Sequence, residues 1–232
     1  MSSGDPFKER GVSKLATYFG PGVFEELRDR VVMDFGCGEG DNAIELAVNG
    51  CRRVIGLDIQ EHMLKKGRDE AARLGLNDQV LFVSHWTEPV DVILSTDAFE
   101  HFEDPAFILR EMRRLLRDDG YAKVEFGYTW YHPLGGHLFS VFPWAHLIFA
   151  EKALIRWRTD FKTDGATRFH EVAGGLNQMT IRRWERLIAD SPFKFQSYEL
   201  VPIKAARRFH AHWTRELFTS TIRTRLVPRD KN

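Results

Sequence analysis

Cysteine is scarce in this chain, with two residues in 232, Cys37 and Cys51. Two thiols build no disulfide framework, and both are expected reduced, in an intracellular, cytoplasmic protein. A charge excess of one sign is missing too. The 33 Lys and Arg balance 33 Asp and Glu, for a formal net charge of +0 at pH 7. Strong steering toward polyanions is thereby excluded, though not a local basic patch. Long apolar runs are absent. The longest, SVFPWAHLIFA at 140–150, is about half a membrane span and contains proline and histidine. Stable transmembrane insertion is excluded, whereas peripheral contact with a bilayer or an oily substrate is allowed. The N-terminal MSSGDPFKERG lacks the apolar core of a signal peptide. No internal repeat, low-complexity tract or clean linker is found. What is present, 43% apolar and 28% charged residues, suits one substantial α/β domain.

Apolar and polar periodicity sets out the elements in order. Residues 7–29 read as one or two amphipathic helices around the Gly20-Pro21-Gly22 break. Strands are expected at 31–35, 53–57, 80–83 and 90–95, with helices at 41–49 and 61–73. Asp104 can cap free backbone donors ahead of Pro105, and FILREMRRLL carries that helix to Asp119-Gly120. YAKVEFG at 121–127 makes a fifth strand. Thr180 caps a helix ending near Ala189, a strand covers 193–201, a helix 204–217, and TIRTRLV the last strand. Strands alternating with helices predict an α/β fold, a doubly wound, mostly parallel seven-stranded sheet with helices on both faces. The expected organisation of residues 1–232 is one domain: an N-terminal helical cap at 1–29, a cofactor-binding core at 30–127, an aromatic-rich cap or lid at 128–178, and a C-terminal helix with sheet completion at 179–232.

The chemistry concentrates in VVMDFGCGEGDNAIELA at 31–47, followed by VIGLDI at 54–59. A strand runs into a glycine turn and then a helix, and a second strand ends on Asp58, placed for a ribose hydroxyl. Gly36, Gly38 and Gly40 let the backbone turn tightly and approach a ligand. Acids crowd the turn: Asp34, Glu39 and Asp41. They would repel a pyrophosphate and suit a ligand bearing a cation, which favours S-adenosylmethionine, with its sulfonium and amino group, over NAD.

DFGCGEG resembles the first motif of class I S-adenosylmethionine-dependent methyltransferases of the type 11-like kind, and LSTDAFEHFEDP at 94–105 resembles their fourth-strand segment. The resemblance covers residues 30–127 and implies a Rossmann-like methyltransferase fold. It implies further that Asp34, with the backbone of Phe35, Gly36, Cys37, Gly38 and Gly40, holds the methionine portion. Asp58 would accept from both ribose hydroxyls, Ile59 would pack on adenine, and Ser95 and Thr96 would line the floor. Met63 is either cofactor wall or core. Where the family carries an acid after the third strand, this chain has Ser84-His85-Trp86-Thr87, leaving His85 or Trp86 to stack or donate.

Methyl transfer from a sulfonium is a direct displacement that needs alignment and, for a hydroxyl acceptor, a base. The candidate bases are His101, His132 and His137. His132, His137 and His146 are spaced by five and nine residues, which matches no compact metal signature, so no metal is expected. Tyr128, Trp130, Tyr131, Trp144 and His146, with Tyr18 as roof, are the candidate substrate contacts; the alternative is an aromatic core beneath a lid. Gly127, Gly135 and Gly136 flank the segment as hinges for closure. The expected activity is methyl transfer to an O, N, S or C atom of a small, largely apolar or aromatic acceptor. The rivals are a methyltransferase of a membrane lipid or quinone precursor and a non-catalytic S-adenosylmethionine-binding regulator. Arg110, Arg113, Arg114 and Arg117 repeat at helical spacing as a solvated face, and no basic–aromatic stripe for nucleic acid emerges.

Overall fold

In this computed structural model the described residues are 13–136, 142–160, 168, 171 and 176–229. The elements run α1 (Lys14–Phe19), α2 (Val23–Leu27), β1 (Val31–Phe35), α3 (Asp41–Val48), β2 (Arg53–Leu57), α4 (Glu61–Arg73), β3 (Val80–Val83) and β4 (Val90–Thr96). There follow α5 (Pro105–Leu115), β5 (Leu116–Phe126), α6 (Ala145–Ile148), α7 (Glu151–Thr159), α8 (Ile181–Ala189), β6 (Phe193–Pro202), a 3-10 turn (Lys204–Phe209), α9 (Arg215–Phe218) and β7 (Thr219–Pro228). The seven strands are ordered β3-β2-β1-β4-β5-β7-β6. β1 pairs in parallel with β2 and β4, β2 with β3 likewise, and β6 runs antiparallel to β7. The sheet is therefore mixed and mostly parallel, flanked by helices, as the periodicity predicts.

By compactness the chain forms two units. The first comprises residues up to Thr96 together with Met112–Lys123. Its core is Val32, Met33, Ile44, Leu46, Val54, Ile55, Leu64 and Ile93, none more than 1% exposed. Strand order reverses at β1, which lies between β2 and β4; such a switch point opens a crevice at the carboxyl ends of the strands. Ser13 caps α1, its hydroxyl accepting from the Ala16 N–H at 3.0 Å. Gly20, at φ +88°, breaks the chain between α1 and α2. The part of the expected N-terminal helix before residue 13 lies outside the described residues.

The second unit comprises Asp97–Glu111 and residues from Val124 onward. Its centre is aromatic. The Trp184 ring meets Phe99 at 4.9 Å and Phe126 at 5.1 Å, both edge-on, and burying an indole of this size contributes about 2–3 kcal/mol or more. Asp104 caps α5 as expected, accepting from the Phe107 N–H at 2.9 Å. Thr180 caps α8, accepting from the Arg183 N–H at 3.0 Å.

Two expectations fail. The helix expected to reach Asp119-Gly120 ends at Leu115, and Gly120 lies within β5. A Cβ on Gly120 would stand 2.7 Å from the Asp91 carbonyl, so this glycine marks a close strand approach and not a helix stop. The helix expected at 204–217 is a 3-10 turn, a bend and the four residues of α9. There the Thr214 hydroxyl takes the Ala211 N–H and donates to the Phe209 carbonyl, diverting backbone groups that a helix would pair.

Candidate active site

β1 delivers Asp34 to the switch point, and the glycine loop folds back onto β2. The N–H groups of Gly36 and Cys37 both donate to the Leu57 carbonyl, at 2.8 and 3.1 Å, and that of Gly40 to the Cys37 carbonyl at 2.9 Å. The Gly38 N–H donates to Asp58 Oδ2 at 2.9 Å. The loop's donors at these four positions are thus spent inside the protein, and a pyrophosphate would find none of them to cradle it. The Gly38 carbonyl takes the Cys37 thiol at 3.7 Å, and no heavy atom stands within 4 Å of where a Cβ on Gly38 would be.

Asp34 is 1% exposed, and its Oδ2 has no hydrogen-bond partner among the described residues. Burial raises its carboxyl from 3.8 to about 7; Lys14 of α1 opposes the shift, Asp58 adds to it, and a backbone donor at Ala43 opposes it. An unanswered buried carboxylate oxygen calls for a donor brought from outside, and the amino group of S-adenosylmethionine fits. Asp58 is half-buried, and its Oδ1 also takes the Gln60 N–H at 2.8 Å. One backbone donor on each oxygen leaves each a second lone pair, so Asp58 can brace the loop and accept two hydroxyls. Glu39 is turned away into an ion pair with Lys66 at 2.5 Å. The acidity that matters rests on Asp34 and Asp58.

The other cofactor candidates separate. Ile59 is 91% exposed beside Asp58, an apolar surface ready for a flat ring, and Met63 is half-buried on α4. Phe35 is 8% exposed. Cys37 packs toward β2, its Sγ 3.1 Å from where a Cβ on Gly56 would stand. Burial, then Asp34 and Asp58, push its thiol well up, so it is no thiolate. Ser95 is fully buried, its hydroxyl donating to the Phe35 carbonyl at 3.0 Å, and Thr96 Oγ1 accepts from Asn42 of α3 at 2.8 Å. Both hydroxyls are thus engaged within the protein. His85 is exposed, but Trp86 is engaged elsewhere: its indole N–H donates to the Glu88 carbonyl, and Arg53, at the amino end of β2, lies 5.6 Å from its ring. With no helix between β3 and β4 the chain turns back at once, carrying Trp86 away from the carboxyl edge.

On the second unit, His101 is half-buried in the 99–102 turn. Asn177, which the sequence pattern did not single out, fastens that turn. Its amide donates to the Phe99 and Phe102 carbonyls at 2.6 and 2.8 Å, and its N–H to the Glu100 carbonyl at 2.9 Å. His132, the second candidate base, is already engaged. It is 4% exposed, and its Nδ1 accepts from the Leu134 N–H at 2.9 Å. A neutral ring then carries its proton on Nε2 and has no lone pair to offer. It stacks on Tyr128 at 4.2 Å. His137 lies outside the described residues.

Trp130 is half-buried and packs against Ala145, Leu154, Ile155 and Leu176. Its carbonyl takes the His146 Nε2 proton at 2.5 Å, and burial lowers the His146 value. Tyr128 and Tyr131 stay about 40% exposed and Trp144 half-buried. The expected hinges are packing glycines: a Cβ would stand 2.5 Å from the Ser220 carbonyl at Gly127, 2.5 Å from the Thr129 carbonyl at Gly135, and 2.8 Å from His146 at Gly136. Tyr18, on the first unit, is half-buried with Lys14 Nζ 5.7 Å from its ring. Among the described residues no group of three or more His, Cys, Asp or Glu could hold a metal ion.

A reversed strand order, a braced glycine turn and an acid ending the neighbouring strand are features of the class I S-adenosylmethionine-dependent methyltransferase fold, and this chain has that fold. Residues 27–128 match a family profile described as a methyltransferase domain. Ribosomal protein L11 methyltransferase of Aeromonas hydrophila is 34% identical over 97 residues, 42% of this chain and 32% of that protein. Ubiquinone biosynthesis O-methyltransferase of Neisseria meningitidis is 33% identical over 102 residues, 41% of this chain and 43% of that one. The chain thus spans less than half the length of either relative. The crystal structure of an S-adenosylmethionine-dependent methyltransferase from Mesorhizobium loti superposes with a TM-score of 0.57 at 19% identity, covering 88% of this chain and 93% of that one.

Proposed function

We propose that this chain transfers a methyl group from S-adenosylmethionine to a small, largely apolar or aromatic acceptor. The observation that carries the reading is Asp34, a buried carboxylate with an unanswered oxygen, beside a loop whose N–H donors at Gly36, Cys37, Gly38 and Gly40 are already used. When bound, S-adenosylmethionine supplies an electrophilic methyl group on a positively charged sulfur. Asp34 takes its ammonium, Asp58 the ribose hydroxyls, and Ile59, Met63 and His85 the adenine side, over a floor braced by Ser95 and Thr96. His101, on the turn fastened by Asn177, is the proton acceptor for a hydroxyl substrate, and Tyr128, Tyr131 and Trp144 offer it apolar contact with polar handles. In this reading residues 1–29 cap, 30–127 carry the cofactor, 128–178 cover the acceptor and 179–232 complete the sheet. Both cysteines are unbridged, which supports a cytoplasmic setting. Titration calorimetry with S-adenosylmethionine and S-adenosylhomocysteine tests the core of this: neither compound binding would end it.

A second reading narrows the acceptor to a membrane lipid or quinone precursor. Phe142, Leu147, Ile148 and Phe149 are 53, 41, 63 and 48% exposed along one short stretch, and the Neisseria relative is named for ubiquinone biosynthesis. Among the described residues no helix is long and apolar enough to cross a membrane, so such an acceptor would be met at the surface. Labelled methyl transfer into a lipid extract, and not into water-soluble metabolites, supports this reading; the reverse pattern rejects it.

A further inference from the structure

The excursion between β6 and β7, residues 203–218, carries none of the residues assigned above to methyl transfer. Along it four cations meet one acid. That acid, Glu216, is spent on α8, where its carboxylate accepts from the Ile181 and Arg182 N–H groups at 3.0 Å each. Arg215 is spent on Glu185, with two contacts of 2.7 Å. Lys204, Arg207 and Arg208 stay exposed, and no carboxylate among the described residues pairs with them. After them in the chain stand Phe209, 51% exposed, and Trp213, 92% exposed, with Leu217 at 37%, and the Arg208 guanidinium lies 4.7 Å from the Phe209 ring. On α8, Arg182 and Arg186 line a surface hollow of about 660 Å³ with Glu185, Ala189 and Arg215.

Exposed cations without a carboxylate partner, in the same short stretch as exposed aromatic rings, match a bilayer's headgroup layer, where rings settle at interfacial depth and guanidinium groups meet phosphates. A nucleic-acid strand would ask for a continuous basic groove. The other arginines of this region do not supply one: Arg223 pairs with Glu199 at 3.7 Å, and Arg229 donates to the carbonyls of Ile188, Ala189, Ser191 and Phe193. We propose that the 203–218 excursion, with the Arg182 and Arg186 face of α8, docks on an anionic lipid bilayer. Trp213 and Phe209 enter the headgroup region, and Lys204, Arg207 and Arg208 meet lipid phosphates. This docking is independent of which acceptor is methylated.

The test is cosedimentation of the full chain with phosphatidylcholine vesicles, with and without phosphatidylglycerol as a third of the lipid, at low salt. Binding to the anionic vesicles is expected. Each cation strengthens it about fivefold, so Arg207→Glu with Arg208→Glu abolishes it, and Trp213→Ala weakens it on the order of tenfold. These side chains are exposed, so unchanged melting and unchanged cofactor calorimetry on the same samples separate lost docking from lost cofactor binding. Equal partition onto neutral and anionic vesicles, or indifference to Trp213→Ala, overturns the proposal. So does tighter binding to a single-stranded RNA, or a dimer in sedimentation velocity that Trp213→Ala dissolves.

Discussion

The ring of Phe82 fills the space that a Cβ on Gly40 would need. The same ring stands 2.5 Å from where a Cβ on Gly56 would be and 2.8 Å from one on Gly67, so three glycines from the loop, β2 and α4 form a slot around one side chain that is 4% exposed. Gly40 also sits at φ +88° and opens α3, whereas Gly38, at φ +54°, has open space before it. Gly38→Ala should therefore cost only left-handed strain, about 1–2 kcal/mol, while Gly40→Ala adds overpacking of about 1–3 kcal/mol. Urea unfolding measures both. Phe82→Leu should restore part of the stability in the Gly40→Ala background; equal losses at the two glycines would remove the slot as the cause.

Asp34 makes ligand-free stability depend on pH. Its folded value, about 7, lies above its ordinary 3.8, so the folded state holds the proton more tightly than the unfolded state. The stabilisation from that proton is complete below about pH 4 and is lost as pH rises through about 7. Asp34→Asn cannot ionise, so its melting temperature should gain on the parent's across that window and run parallel above it.

Binding of S-adenosylmethionine carries the opposite sign. An ammonium prefers the ionised carboxylate, so affinity should rise with pH to about 7 and binding should release a proton below that value. Calorimetry in buffers of different ionisation enthalpy reads that release directly. Asp34→Asn should bind more weakly and show no such proton; undiminished affinity in the variant would show that Asp34 does not hold the cofactor.

Asn177 should govern the order of the 99–102 turn. Removing a side chain that bridges two carbonyls costs about 1–3 kcal/mol, and Asn177→Ala should speed amide exchange at His101 and Phe102 before it affects β1 or β2. Asn177→Asp, which removes the amide donors, should behave like the alanine variant. Matching exchange rates in parent and variant would sever Asn177 from the turn.

Glu216 joins Thr180 in capping α8 from a distance in sequence, with one oxygen on each of two consecutive N–H groups. Glu216→Ala should destabilise by about 1–2 kcal/mol and Glu216→Gln by less, since the amide keeps one acceptor. Chemical denaturation distinguishes the two, and a silent alanine variant would mean that water caps the helix equally well.

Local chemistry makes much of this protein legible in its amino-acid sequence. Hydrophobic period locates β1 to β4 within a residue, because buried parallel strands read as short apolar runs; Asp104 and Thr180 announce their helices because each caps the helix that directly follows it; and the glycine turn with Asp34 and Asp58 points to a cationic cofactor. Tertiary structure decided what depends on approach between distant segments. It made Gly120, Gly127, Gly135 and Gly136 packing glycines where sequence offered stops and hinges, since a missing Cβ looks the same in either role. It tied Trp86 to Arg53, packed Trp130 into a core and turned the His132 lone pair inward, because a side chain's chemistry is free for function only when its hydrogen bonds are not already taken. It also recruited Asn177 and Glu216, whose partners lie more than 30 residues away and leave no local pattern to read.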